Sequence, residues 1–248
     1  MTTKDELKHL LKALATESEA GLVEAEAADF LQKVDPLMLS IAEQELMEEG
    51  VGQEELRSLC DVHLKVLGGK LERQRAQTEL GHPIDLLMAE HQIILQNLTS
   101  LQTIIEKASN RDNGEIGDLM AQLKAVVHLL LETESHHKRE EDALFPRLER
   151  RGVTGPPRIM RLEHDALRAR KHRLGALVEK EESTAYAEFI RELNDAGGYI
   201  VANLRDHIFK EDNILYPTAM QTLDPAEWED VQAEFDQIGY CSFTPGKN

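Results

Sequence analysis

The sequence predicts an all-α protein: an antiparallel up-down-up-down four-helix bundle preceded by a small helical domain. Three observations predict this fold class. Leu, Ala, Glu, Lys and Arg dominate the sequence, and these residues have high helix propensity. From position 82 onward, four long segments have the hydrophobic periodicity of amphipathic helices. The loops between these segments are short, which indicates that neighbouring helices run antiparallel.

The small helical domain is predicted to span residues 1–75. Asp35 and Pro36 are typical of an N-cap followed by proline at the first helical position, and Gly50 is typical of the residue just after a helix. Residues 76–81 are a short linker candidate. The helices of this domain are predicted at 4–16, 25–34, 36–49 and 53–69.

The bundle domain is predicted to span residues 82–221, with a short helix and tail at 222–248. Its loops at 110–114 and 151–157 contain the glycines and prolines that break helices. The pair Gly197-Gly198 predicts an irregularity in the last long helix. The four bundle helices are predicted at 83–109, 115–150, 158–181 and 183–220.

Composition excludes several classes of protein. The formal net charge of -18 repels nucleic acid and anionic membrane surfaces, so we expect neither as a partner. No uncharged apolar stretch approaches about 18 residues, and the N-terminus is polar, so neither a membrane span nor a signal peptide is expected. Two cysteines far apart in sequence imply no disulfide framework. The expected location is therefore the cytoplasm.

Two segments of the bundle domain repeat each other. The segment 136–146 reads HHKREEDALFP, and 207–217 reads HIFKEDNILYP. A histidine, two adjacent acids, a leucine, an aromatic residue and a proline recur at the same offsets. A Glu-His pair also occurs in both halves, at 90–91 and at 163–164. The bundle therefore consists of two copies of one helical hairpin.

The repeat predicts a metal site. His at i and Glu at i+4 share one helical face, so the two side chains can reach one ion together. A single pair of this kind is usually a surface ion pair, but two copies with matched flanks are far less likely by accident. Mixed imidazole and carboxylate ligands favour iron, with zinc and manganese as alternatives. The predicted ligands are His91, His136, Glu140, His164, His207 and Glu211.

With these motifs, residues 82–220 resemble the hemerythrin-like, HHE cation-binding family. The resemblance implies two non-haem iron ions, bridged by oxo or hydroxo, that bind O2, NO or peroxide. Oxygen-carrying members have a second histidine on the third helix, four residues before or after the first. This chain has Met160 and Arg168 there. That departure argues against a dedicated oxygen carrier and favours members proposed to repair iron centres under nitrosative stress or to sense gases.

Residues 5–75 resemble a domain of unknown function that often precedes hemerythrin-like domains. The resemblance rests on 45–50, ELMEEG, and on 59–63, LCDVH. Cys60 and His63 form a compact cluster there, either a redox-responsive patch or a buried thiol beside a surface histidine. Resemblance to this domain of unknown function implies no particular activity.

Alternative ligands surround the predicted set. Glu141 and Asp212 each follow a predicted carboxylate by one position and could replace it. His137 points about 100° away from His136 on an ideal helix, so it is expected to be exposed or behind the ligands. His172 lies two turns beyond His164 and is a weaker ligand candidate.

Other polar residues are expected near the site rather than on the metal. Glu90, Glu132 and Glu163 either accept an imidazole N–H, line an approach to the metal or lie on a solvated surface. His82 precedes a proline and is expected in the linker. Cys241 would meet Cys60 only if their segments approach in space.

Three functions compete on this basis. The first is a di-iron stress protein that handles NO, peroxide or labile iron. The second is a gas or redox sensor without turnover, suggested by the additional N-terminal domain. The third, iron or oxygen storage, is weakened by the missing third-helix histidine. A helical protein with a purely structural role is the alternative to all three.

Overall fold

Every regular element in the part of the chain that the structure describes is helical. The computed structural model describes residues 81–111 and 117–247. The predicted domain at 1–75, with its helices and its cluster around Cys60, lies outside these residues. Among the described helices, none is long and apolar enough to cross a membrane.

The first bundle helix, α1, spans Pro83–Ser109, as the sequence predicts. His82 is not a linker residue, because its Nδ1 atom accepts a hydrogen bond from the backbone N–H of Ile84 at 3.2 Å. This cap satisfies one of the N–H groups that have no partner at a helix start. Proline at the first position has no N–H to satisfy and presets the helical φ angle.

The second bundle helix, predicted as one element at 115–150, is interrupted twice. A break at Thr133 is followed by a short helix, and a five-residue π-helical turn then precedes Pro146. Proline in a continuous α-helix clashes with the carbonyl four residues earlier, and the wider turn relieves that clash. The segments are α2 Gly117–Glu132, α3 Glu134–Arg139, the π turn Glu140–Leu144 and α4 Phe145–Arg150.

The third bundle helix, α5, spans Gly155–Glu179 and begins earlier than the predicted position 158. Pro156 and Pro157 do not end the preceding loop but lie in the first turn of this helix. Proline is tolerated there because the first-turn N–H groups have no helical partner.

The fourth bundle helix repeats the plan of the second. Its π turn at Glu211–Leu215 precedes Pro217, just as the π turn of the second bundle helix precedes Pro146. The predicted irregularity at Gly197 is also a π turn, and a Cβ at this glycine would lie 2.9 Å from Ile105 Cδ1. The segments are α6 Tyr186–Glu192, the π turn Leu193–Gly197, α7 Gly198–Lys210, the π turn Glu211–Leu215 and α8 Tyr216–Thr222.

A last helix, α9, spans Pro225–Ile238 and begins with a reciprocal cap. The Asp224 side chain accepts from the backbone N–H of Glu227, whose carboxylate accepts from the backbone N–H of Asp224. This capping box satisfies two N–H groups that would otherwise lack partners. The helix packs against α1 and α3.

The four bundle helices pack in a closed circuit, in which α1 and α5 each contact both α2 and α7. Their buried residues form two hydrophobic clusters. Along α1, His91 lies between Met88 of one cluster and Ile94 of the other. We call the predicted site residues between the two clusters the polar layer. The polar layer comprises His91, His136, Glu140, His164, His207 and Glu211.

Burial of the α5 leucines makes a testable contribution to stability. Leu174 is 1% exposed, whereas Leu162 on the same helix is 46% exposed. Leu174→Ala should lower the free energy of unfolding by about 2–5 kcal/mol, because it leaves a core cavity. Leu162→Ala, the matched control, should change it by less than about 0.5 kcal/mol. Urea denaturation measures both, and equal losses would contradict this packing.

Candidate metal centre

The six residues of the polar layer are buried together between the bundle helices. Each is at most 1% exposed. In the described part of the chain, their donor atoms fall into clusters that could hold a metal ion. One cluster comprises His91, His136 and Glu211, and another comprises Glu140, His164 and Glu211. Glu211 is common to both, so the two sets of donors are contiguous.

The i+4 spacing and the π turns bring each glutamate beside its histidine. His207 Nε2 lies 2.7 Å from Glu211 Oε1, and His136 Nε2 lies 3.6 Å from Glu140 Oε2. Both glutamates are the first residues of π turns. Such turns are frequent at functional sites because they redirect a side chain without ending the helix.

The four imidazoles direct their Nε2 atoms towards one another in two pairs. The Nε2 atoms of His91 and His136 are 3.1 Å apart, and those of His164 and His207 are 2.9 Å apart. Glu211 lies between the pairs, since its two carboxylate oxygens lie 3.2 Å from His91 Nε2 and 3.5 Å from His164 Nε2. The arrangement concentrates nitrogen and oxygen donors in one small volume.

Each of these imidazoles also makes a hydrogen bond through Nδ1 to a carboxylate on a neighbouring bundle helix. A carboxylate accepts the Nδ1–H, which leaves the Nε2 lone pair free for a metal ion. The four carboxylates therefore contact the Nδ1 ends of the imidazoles, away from the clustered Nε2 atoms. The pairs are His91 with Asp212 at 2.7 Å, His136 with Glu90 at 2.6 Å, His164 with Glu141 at 2.7 Å, and His207 with Glu163 at 2.8 Å.

Two cations support these carboxylates at equivalent places in the repeat. Arg139 donates to both oxygens of Glu90, and Lys210 donates to Glu163. Burial raises the pKa of Glu90, but hydrogen bonding by His136 and the charge of Arg139 outweigh it and lower the pKa to about 2. For Glu163, the interactions with His207 and Lys210 likewise outweigh burial, and its pKa is also about 2.

The two central glutamates differ in their electrostatics. Burial and the neighbouring Glu211 carboxylate raise the pKa of Glu140 well above its usual range. Burial acts in the same direction on Glu211, but His207, His164 and His91 hold its pKa well below that range. Tyr216 donates its hydroxyl to Glu140 Oε1 at 2.8 Å. Because two carboxylates in a low-dielectric site repel each other, a bound cation would favour the ionised form of both.

The donor set is suited to a bound cation. Glu140 Oε2 and Glu211 Oε1 are buried without a hydrogen-bond partner in the described part of the chain. Glu211 Oε1 lies 2.7 Å from His207 Nε2, but this contact lacks hydrogen-bond geometry. Buried polar atoms nearly always have partners. Oxygens without one, next to imidazole nitrogens, are donors that a bound cation would satisfy.

Some residues lie differently from the sequence-based expectation. His137, expected to be exposed or behind the ligands, is 2% exposed and forms a potential metal cluster with His164 and His207. The step of about 100° from position 136 to 137 directs the first imidazole towards α1 and the second towards α5, so both face the interior. His172 is exposed and lies away from the site.

The C-terminal tail contributes contacts that the sequence did not predict. Thr244, fully buried, donates its hydroxyl to Glu90. Glu132 accepts a hydrogen bond from Ser242 and lies 3.3 Å from His128, so it does not contact an imidazole of the polar layer. Cys241 is buried with its sulfur 3.3 Å from Ser135 Oγ. No sequence motif marks the contacts of Cys241, Ser242 and Thr244, because their partners are more than 100 positions away.

Comparison with protein families agrees with this site. Residues 82–219 match the family described as the hemerythrin HHE cation binding domain. The match covers more than half of the chain, so the chain belongs to this family, whose members bind metal cations. Residues 7–73 match a family of unknown function, DUF438. Both resemblances predicted from the sequence are thus confirmed. A search among curated proteins finds no match.

The Glu163 contacts predict an acid-sensitive stability. The folded pKa is about 2 against a usual 4.5, so the ionised carboxylate contributes about 3 kcal/mol. This contribution is complete above pH 4.5 and is lost as the pH falls towards 2. Without added metal, Glu163→Gln should therefore flatten the decline of unfolding free energy between about pH 5 and pH 2.

The control for this prediction is Glu188→Gln, which changes a carboxylate that is 59% exposed. It should leave the pH dependence as in the unmodified chain. Urea midpoints measured across the pH range provide the comparison. The same slope in both variants would show that the Glu163 carboxylate does not stabilise the fold.

Proposed function

We propose that this chain binds two non-haem iron ions in the polar layer and that the iron pair binds O2, NO or peroxide. One observation carries the proposal: two pairs of buried imidazoles lie within 3.6 Å of the buried carboxylates Glu140 and Glu211. Each carboxylate has one oxygen without a hydrogen-bond partner in the described part of the chain. Imidazole and carboxylate donors suit iron. We further propose that the four bundle helices run up-down-up-down, so that all four contribute donors.

The proposed ligands are His91, His136, Glu140, His164, His207 and Glu211. When bound, an iron pair supplies redox chemistry and coordination positions for a small ligand. The chain's own residues orient the donors: carboxylates hold each imidazole by Nδ1, and the Tyr216 hydroxyl holds Glu140. The hydrophobic clusters on both sides exclude water, which strengthens electrostatic interactions inside the layer.

The role we favour is the handling of NO or peroxide, or repair of iron centres, in a stress response in the cytoplasm. A binding module without turnover is the second candidate. The observation in its favour is the second family match at residues 7–73, since an additional domain could respond to the state of the irons. Neither Met160, buried in the second hydrophobic cluster, nor Arg168, paired with Glu134, supplies the imidazole of oxygen carriers.

Metal loading tests the site itself. After anaerobic loading with Fe(II) and exposure to air, the chain should retain about two irons and show absorption bands of oxo-bridged iron. Glu140→Ala and Glu211→Ala should lower the iron content, because each removes a buried carboxylate of the candidate clusters. His128→Ala, which changes an imidazole that is 73% exposed, is the control and should retain full loading. A folded chain that stays free of iron would refute the proposal.

Turnover separates the two candidate roles. The iron-loaded protein is titrated anaerobically with NO in the presence of excess chemical reductant, and NO consumption is followed with an electrode. An enzyme should consume many equivalents per site, because the reductant regenerates the irons. Uptake that stops at saturation would instead support the binding module. Protein without iron, measured in parallel, corrects for the direct reaction of NO with the reductant.

A further inference from the structure

The two halves of the site are matched in sequence but differ in how one outer carboxylate is covered. Glu90 and Glu163 lie at equivalent places, since each directly precedes a histidine of the polar layer and accepts the Nδ1–H of another. The Glu163 side chain is 11% exposed, whereas that of Glu90 is 0% exposed. Part of the cover of Glu90 comes from the C-terminal tail, by which we mean residues 239–247.

The C-terminal tail is anchored to the bundle along its length. It leaves α9 through Gly239, whose φ of 94° lies in the left-handed region that favours glycine. Cys241 is 2% exposed, and Phe243 packs against a hydrophobic cluster of the bundle. Lys247 donates to Asp236 on α9 at 3.0 Å. The residues between these anchors therefore have a defined place against the bundle.

Thr244 brings a hydroxyl from the tail to the buried Glu90 carboxylate. Its side chain is 0% exposed, and its hydroxyl donates to Glu90 Oε1. Arg139 donates to both carboxylate oxygens, and His136 Nδ1 lies 2.6 Å from Oε2. Because hydrogen bonds weaken steeply when they bend, a carboxylate bonded through both oxygens resists rotation. The Thr244 hydroxyl therefore helps to hold Oε2 against the His136 imidazole.

The orientation of the His136 imidazole decides where its Nε2 atom lies. This atom is 3.1 Å from His91 Nε2 and 3.6 Å from Glu140 Oε2. A hydrogen-bond partner on the far nitrogen of a ligating histidine fixes both its tautomer and its ring orientation. Two hydrogen bonds in series thus connect Thr244 to a donor atom at the centre of the polar layer.

We propose that Thr244 is a positioning residue for the iron ion held by His91 and His136, and that the C-terminal tail is thereby part of the metal centre. This inference rests on the proposed iron site. Thr244 does not touch the iron: it acts through Glu90 on the direction of the His136 lone pair.

The other iron position should not depend on the tail. Its outer carboxylate, Glu163, accepts from His207 at one oxygen and from Lys210 at the other. Lys210 corresponds in the repeat to Arg139, and both carboxylate oxygens are already bonded without a hydroxyl from the tail. The two iron positions are therefore unequal in their dependence on Thr244, although their ligands are matched.

Substitutions in the full chain test the role of the hydroxyl. Thr244→Val removes it at nearly constant volume, and Thr244→Ala removes it with a smaller side chain. Each should bind one iron at least about threefold more weakly and the other normally, because outer partners of metal ligands commonly contribute about tenfold or more to affinity. Anaerobic equilibrium dialysis against Fe(II) measures both affinities, on variants whose helical circular dichroism matches that of the unmodified chain.

Two further variants separate positioning from packing. Thr244→Ser retains the hydroxyl and should restore the iron affinity. Ser242→Ala, the matched control, removes a tail hydroxyl that donates to Glu132, a carboxylate outside the polar layer, and should bind iron normally. Mössbauer spectra of protein loaded with ⁵⁷Fe should change at one iron in the two hydroxyl-free variants and at neither iron in Thr244→Ser or Ser242→Ala.

The outcomes distinguish this inference from the proposed function. Equal weakening at both irons, or a loss that Thr244→Ser does not restore, would show that the tail acts only on the fold and would overturn the inference. Unchanged affinities and spectra in a hydroxyl-free variant would also overturn it, while leaving the proposed function intact. An unmodified chain that binds no iron would refute both.

Discussion

Four imidazole–carboxylate hydrogen bonds hold the centre of this bundle, and the rest of the site depends on them. The first bundle helix is linked to the fourth through His91 and Asp212, and to the second through His136 and Glu90. The third helix is linked to the second and fourth by the equivalent contacts. These bonds close a ring around all four helices. They fix helix spacing and imidazole orientation at once, so the fold and the donor set are not independent.

Such a ring is stable only because its charges are paired. Buried carboxylates are unfavourable unless cations and hydrogen bonds compensate them. Arg139 and Lys210 provide that compensation for the outer carboxylates. Glu140 accepts the Tyr216 hydroxyl and lies close to Glu211, and the charge of His91 only partly offsets the burial and the repulsion by Glu211 that raise the Glu140 pKa. Ionisation of Glu140 is therefore unfavourable, and a cation bound between Glu140 and Glu211 would favour it.

Periodicity and repetition predicted much of this site, because the interactions they encode are local. A His and a Glu one turn apart must share a face, and two matched copies identified the residues that the structure buries together. The π turns, the Thr244 contact and the inward position of His137 depend on neighbouring helices and on a distant tail. Sequence spacing within one helix cannot supply that information. His137 is buried rather than exposed because its helix faces two neighbours.

The position of His137 changes an inference about function. The sequence argued against oxygen carriage from the absence of a histidine on the third helix, but a metal ion responds to a donor atom and not to the helix that provides it. His137 buries a fifth imidazole against the face of His164, so a count of imidazoles does not by itself separate a carrier from a stress protein. The distinction then depends on electron supply, because a carrier must release its ligand unchanged and an enzyme must reduce it. Measurement of turnover therefore decides the function, whereas the number of donors does not.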